Sequence, residues 1–264
     1  MTAPKRPSLD DVVEALASHH GEQSAPALRD PWELVVWETC AFGIGDADRK
    51  RLFDALERVT GLDPRRMLDA PAAKVVTVLE LGGGMARYRY EKLRLNAGRA
   101  LDMGLDTLRR ATKEDPRAAK KLLKRFHGIG DPGADRVLML AGTGRALGAD
   151  AAVVRVLVRL GFGEASKDWS RSYRTSASAV ESQLPSGRNA LARIHAILGH
   201  HGREQCKNTR PVCGDCPVRD ACAHFASLHR ESREAGARGA TGIQRAMDLE
   251  EKVAAWERMW RTRM

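Results

Sequence analysis

The sequence is poor in aromatic residues, in alternating patterns and in long apolar runs. Only 5% of its 264 residues are Phe, Tyr or Trp. The β-branched residues do not gather into stretches that alternate with polar ones, so no convincing strand can be drawn. No segment approaches the ~18 uninterrupted apolar residues that a membrane span requires. The opening MTAPKRPSLDDVV has no apolar run that would serve as a signal peptide. These absences argue against a membrane partner and point to a cytoplasmic protein, in a compartment where thiols stay reduced. Its five cysteines then read as metal ligands or core residues rather than disulfides. Acidic charge is short as well: 34 Asp and Glu stand against 44 Lys and Arg, a net charge of +10. That balance suits a polyanionic partner without identifying one.

What is abundant is Ala, Leu and Arg, which favour helices, within a 43% hydrophobic content that can bury a real core. Residues 1–28 read as an arm with one short helix, capped by Ser8 or Asp10. Asp30-Pro31 then opens a helix through about residue 42, with Asp as the cap and Pro in the first turn. Further helices are expected at about 47–60, 71–80, 88–102, 105–112, 116–126, 133–142, 151–160, 172–183 and 188–202, joined by short Gly-, Pro- or Asp-bearing connections. The fold class is all-α, and there is no internal repeat. The segment 231–242, ESREAGARGATG, reads as a flexible linker. An amphipathic helix at about 243–262 follows it, with Trp256 and Trp260 one turn apart, docking on the protein's own body or on a partner.

Cys206, Cys213, Cys216 and Cys222 are spaced C-x6-C-x2-C-x5-C. Four thiolates so close in sequence can close around one metal centre, with Gly214 easing the turn between the middle pair. Spacing alone does not choose between tetrahedral zinc and a [4Fe–4S] cluster. Cys40 lies far away in an apolar helix and reads as a core residue.

The stretch LLKRFHGIGDPGADRVLMLAG, residues 122–142, runs a basic amphipathic helix into Gly128-Ile129-Gly130 and then into a second helix. Glycines allow a tight turn and close approach to a ligand. Backbone N–H groups followed by a helix N-terminus suit a phosphate. About twenty residues on, LGADAAVVRVLVRLGFG places Asp150 before an apolar helix, where it would act as the N-cap.

The cysteine spacing near the end of a basic all-α chain, with the hairpin about 80 residues upstream, resembles endonuclease III and the adenine-specific mismatch glycosylases. The resemblance covers residues from about 31 to 223. It implies two helical lobes with DNA in the cleft between them: residues 29–142 ending in the helix-hairpin-helix, and residues 143–230 with the cluster loop, the arm 1–28 packing with the cluster lobe and 231–264 lying outside. It implies a [4Fe–4S] cluster on the four cysteines, holding a loop whose Lys207, Arg210 and Arg219 meet the DNA backbone. It implies that Gly128, Ile129, Gly130, Gly133 and Lys124 grip one strand without reading its sequence. Asp150 would face the base pocket, where it stabilises the cationic sugar or activates the attacking water. A monomer acting on double-stranded DNA with damaged or mismatched bases, associated with the nucleoid, is the implied setting.

The sequence departs from that family in places. Endonuclease III carries a lysine two residues after the second hairpin glycine; here that position is Pro132, which offers no nucleophile. Lys120, Lys121 and Lys124 sit on the preceding helix and read as phosphate-facing. Asp131 places a negative charge beside the presumed phosphate site, and Asp131-Pro132 would cap and start the next helix. Counting from Pro31, Glu38 falls where adenine glycosylases carry their acid. Its helical neighbours Leu34, Val35, Ala41 and Phe42 are apolar, a setting that suits a general acid and equally suits a core-edge glutamate paired with an arginine. The same count puts Gly43 where endonuclease III has a gap-filling glutamine. Gly82-Gly83-Gly84 is a close-approach loop or a plain helix break. Three readings stay open: a monofunctional glycosylase using Asp150 and Glu38, a glycosylase and abasic-site lyase using another amine, and a DNA-binding module that has lost the chemistry.

Overall fold

A computed structural model describes residues 6–40 and 44–228. Gly43 and the segment carrying Trp256 and Trp260 lie outside the described residues. The elements are α1 (Leu9–His20), α2 (Pro31–Cys40), α3 (Asp46–Thr60), α4 (Pro64–Asp69), α5 (Ala72–Leu79), α6 (Ala86–Met103), α7 (Leu105–Glu114), α8 (Pro116–Leu123), α9 (Asp131–Ala141), α10 (Ala151–Arg159), α11 (Trp169–Val180) and α12 (Arg188–Glu204), with short 3-10 turns at Glu80–Gly82, Glu181–Gln183 and Arg219–Ala221. No strand occurs among the described residues, so the chain is all-α as its pattern implied. None of these helices is long and apolar enough to cross a membrane.

Side-chain caps start half of the twelve α-helices. Ser8 caps α1 by accepting from the Asp11 N–H at 3.1 Å. The Asp30 carboxylate accepts from the N–H groups of Trp32 and Glu33 at the start of α2. Asp63-Pro64 and Asp115-Pro116 repeat the cap-then-proline device at α4 and α8. The short α4 was not expected from the sequence, because six residues carry too little periodicity to read.

Two lobes result. Helices α2 to α8 pack around α2 and α6, while α1, α10, α11 and α12 form the second group; α9 touches α2, α8 and α12 and so joins them. The arm helix α1 lies on α12. A single apolar core runs through both lobes, from Trp32 and Leu34 through Val137 and Met139 to Val153, Leu157 and Ile197. Cys40 sits fully inside it. Gly82 is buried with Leu52 where a side chain would have to go, which makes it a packing glycine and the bend beside it a helix break.

Close helix contacts fix the second lobe. A Cβ on Gly202 of α12 would fall 2.7 Å from the Ala152 carbonyl of α10. A Cβ on Gly148 would fall 2.2 Å from Cα of Arg136 on α9. Only glycine permits either approach, and the two together set where α10 begins.

Candidate active site

The hairpin closes where α8 gives way to α9. Gly128 adopts φ +84°, a conformation only glycine takes easily, and Gly128 and Gly130 are exposed while Ile129 between them is buried. Ile129 therefore anchors the turn and its flanking glycines present the backbone. Gly133 is buried against the Ile129 side chain, so its small size serves the hairpin's packing. Asn96, buried in α6, ties this turn to α2: it accepts from the His127 N–H at 2.7 Å and donates to the His127 carbonyl and to Thr39 Oγ1.

The start of α9 differs from the expected cap. The helix begins at Asp131 itself, and Gly130 precedes it without a side-chain cap. The Asp131 carboxylate is drawn instead to Lys124 Nζ at 2.9 Å, with Lys120 Nζ at 3.7 Å. The hydrogen bond from Lys124 holds Asp131 below the usual carboxylate range. Lys124, expected to face phosphate, thus carries a partner on its own hairpin.

Facing the hairpin is a cleft of about 700 Å³. Its walls include Gly128, Gly130, Pro132 and Gly133, together with Lys120, Lys124, Glu38, Asp150 and Tyr173. Asp150 caps α10: one oxygen accepts from the N–H groups of Ala152 and Val153, both at 2.9 Å. The other oxygen meets Arg203 Nη1 at 3.2 Å. Burial works against the charged carboxylate, but His195 in its protonated form, Arg136, the Val153 N–H and Arg203 outweigh it and hold Asp150 well below its ordinary range. It is a fixed anion in the cleft.

Glu38 takes the arginine partner that the sequence left open. Arg136 Nε donates to Glu38 Oε1 at 2.8 Å, and Nη2 pairs with Oε2. The Glu38 side chain is 5% exposed. Arg136 Nη1 also donates to the Gly148 carbonyl at 2.9 Å, two residues before Asp150. Both oxygens of Glu38 are thus acceptors in a buried two-pronged pair, an arrangement that positions α9 against α2.

Lys120 is engaged as well. Its Nζ lies 2.7 Å from Asp135, which also accepts from the Tyr173 hydroxyl at 2.7 Å. Burial, then Asp135, pushes the Tyr173 phenol above its usual range.

The sequence reading missed Arg136, Arg203 and His195. For Arg136 and His195 the signal was a charged or ring-nitrogen side chain running into an apolar stretch, as in DRVLML and RIHAIL; Arg203, in the polar stretch HHGREQ, carried none. His195 lines a second cavity of about 520 Å³ with Trp37, Pro26, Arg136 and Arg203. Burial pushes the His195 imidazole down to about 4, and its Nε2 is buried with no hydrogen-bond partner.

The four cysteines line one cavity, closed by Val156, Leu160 and Phe225. None is in a disulfide. Among the described residues, no three metal-ligating side chains converge closely enough to hold a single ion. Helix α10 braces this loop: Arg155 Nε donates to the Cys206 carbonyl at 2.8 Å, and Arg159 Nη1 to the Lys207 carbonyl at 2.7 Å. Arg159 Nη1 also reaches Cys206 Sγ at 3.2 Å. Lys207 and Arg210 are exposed on the loop, and Arg219 folds onto the Gly214 carbonyl.

No family model matches the chain. Over 173 residues it is 29% identical to the endonuclease III of Sulfolobus acidocaldarius, covering 64% of this chain and 70% of that protein. Its fold is similar to a non-covalent endonuclease III–DNA complex, with a TM-score of 0.64 and 20% identity over 85% of this chain and 99% of the other. It is likewise similar to a trapped endonuclease III–DNA covalent intermediate, with a TM-score of 0.63 and 19% identity over 84% and 97% of the two chains. A thermostable thymine-DNA glycosylase has the same fold at a TM-score of 0.58 and 18% identity, over 83% and 97%.

Proposed function

We propose that this chain, which its sequence match and its fold place in the endonuclease III-like superfamily, is a monofunctional DNA N-glycosylase. It takes double-stranded DNA with a damaged or mismatched base, flips that nucleotide at an unstacking cost of a few kcal/mol, and hydrolyses the N-glycosidic bond to leave an abasic site. The observation that carries this reading is the composition of the cleft. A fixed carboxylate, Asp150, opens onto the same space as the hairpin glycines and Pro132, the residue at the position where the resemblance would call for a lysine.

Each element of the cleft has a task. Gly128 and Gly130 present backbone to a phosphate and fix the strand's register. Cleavage of the glycosidic bond leaves positive charge on the sugar, and Asp150 is an anion already oriented by α10 and Arg203 when that charge appears. The same carboxylate can accept the proton of the water that attacks. Glu38 holds Arg136, and Arg136 holds the Gly148 carbonyl, so Glu38 contributes to the placement of Asp150 instead of donating a proton.

The residues fit a [4Fe–4S] cluster. Four thiols, none in a disulfide, surround one cavity, the donor set that such a cluster takes. Cys206, Cys213, Cys216 and Cys222 would hold it, and its contribution is structural: it fixes the loop that offers Lys207 and Arg210 to the DNA backbone.

The test is strand cleavage of duplexes carrying uracil, oxidised pyrimidines, 8-oxoguanine pairs, alkylated bases or abasic sites, read with and without alkali. Cleavage that needs alkali and disappears in Asp150→Asn is expected. Cleavage without alkali, with a borohydride-trapped complex lost in Lys120→Ala, would transfer the assignment to a lyase. DNA binding with no base released from any duplex would make the protein a binding module, a reading that the Lys124–Asp131 pairing favours.

A further inference from the structure

Resting on the iron–sulfur assignment above, we infer that His201 donates a hydrogen bond to the thiolate of Cys216, that His20 of the N-terminal arm positions it, and that the pair raises the reduction potential of the cluster. The three residues stand in line. His20 Nε2 lies 3.0 Å from His201 Nδ1. His201 Nε2 lies 3.8 Å from Cys216 Sγ, within reach of the large sulfur atom. His201 is 2% exposed and lines the cavity of the four cysteines. His20 ends α1 and His201 lies in the last turn of α12, 181 residues away. Several contacts hold the arm in this place. Arg193 of α12 pairs with Glu14 and Glu22, and the Leu9 N–H donates to Gln183 Oε1 at 2.7 Å. The rings of His19 and His200 pack edge-on against His20.

The direction of each bond follows from what the sulfur can accept. A cysteine that ligates iron has lost its proton, so its sulfur only accepts. His201 Nε2 must then carry a hydrogen. A neutral imidazole has one N–H, and burial favours the neutral form. His201 Nδ1 is therefore a bare acceptor, and His20 Nε2 supplies the hydrogen between the two rings. Each bond fixes the tautomer of the next ring, which is how an outer partner orients an inner one. A hydrogen bond to a ligating sulfur stabilises the more negative, reduced cluster over the oxidised one, and so raises the potential. Arg159 Nη1, 3.2 Å from Cys206 Sγ, acts in the same sense on another ligand. That arginine comes from α10, which braces the loop directly. The histidine bond depends instead on a helix far away in sequence, so the arm belongs to the surroundings of the cluster.

The test is an electrode-poised titration of the full-length protein, read by the absorbance and the paramagnetic signal of the cluster. It compares wild type with His201→Leu, His201→Gln, His20→Leu and His20→Gln. His201→Leu should lower the ratio of reduced to oxidised cluster about tenfold at a fixed potential, a negative shift of about 59 mV for one electron. His20→Leu leaves every group that touches a cysteine in place and should shift the potential in the same direction by less. Glutamine at either position keeps an N–H donor and should recover part of the shift. If leucine at position 201 prevents assembly, His20→Leu against His20→Gln carries the test alone. An unchanged potential in His201→Leu, or a shift that glutamine does not relieve, would overturn the bond to Cys216. An unchanged potential in His20→Leu would overturn the role of the arm. A wild-type protein that carries zinc and no iron–sulfur absorbance would remove both the inference and the cluster assignment, and would leave the glycosylase reading standing.

Discussion

At the residue scale, the site is governed by how a few buried charges are shared. Arg136 has one guanidinium for three carbonyl or carboxylate oxygens: two on Glu38 and one on Gly148. Breaking a buried pair from one side leaves an uncompensated charge, which costs roughly 3–5 kcal/mol. Glu38→Leu should therefore lower the free energy of unfolding by about that amount in a urea titration, and slow base release only as far as Asp150 is displaced. An unchanged unfolding midpoint would show that the pair contributes nothing and would return Glu38 to the role of an acid. The apolar neighbours of Glu38 were visible in the sequence. The arginine that meets it lies 98 residues away, and no local pattern pairs two such positions.

At the element scale, α10 is the mechanical link between the cluster loop and the reactive carboxylate. It is nine residues long, about 14 Å from end to end. Asp150 caps one end, and Arg155 and Arg159 hold Cys206 and its neighbours at the other. Outer partners of metal ligands commonly change affinity by about 10- to 100-fold. Arg159→Gln should accordingly release the cluster about tenfold faster under a chelator, followed by loss of visible iron–sulfur absorbance, with helicity intact. Equal loss rates would mean that the arginine braces the loop without supporting the cluster. The helix itself was legible from the V-R-V repeat and its Asp cap. That its two arginines turn toward the cysteine loop was not, since an arginine on an amphipathic helix ordinarily reads as a solvated face.

At the scale of the whole molecule, the net charge of +10 overstates what the hairpin itself offers to DNA. Lys124 is tied to Asp131 at 2.9 Å, and Lys120 to Asp135 at 2.7 Å. Under the proposed binding mode, Asp131→Asn should tighten duplex binding and steepen the dependence of log K on log salt by about one phosphate contact. Weaker binding in that variant would show that Asp131 supports the hairpin's shape more than it screens the hairpin's charge. The lobes meet through α9, which touches elements of both, so a change at the hairpin bears directly on the segment that leads to Asp150.

The sequence by itself determined the all-α class, most helix boundaries, the hairpin turn, the cap at Asp150 and the four clustered cysteines. Each is a local matter: the period of apolar residues, a side chain reaching its own backbone two or three residues on, or thiols close enough in the chain to share a centre. Only the tertiary structure decided that Glu38 meets Arg136, that Lys120 and Lys124 are already paired, and that His20 and His201 line up on Cys216. Those outcomes depend on which helices cross and how closely, and at Gly148 and Gly202 the crossing distance is set by the absence of a side chain, a feature with no local signature.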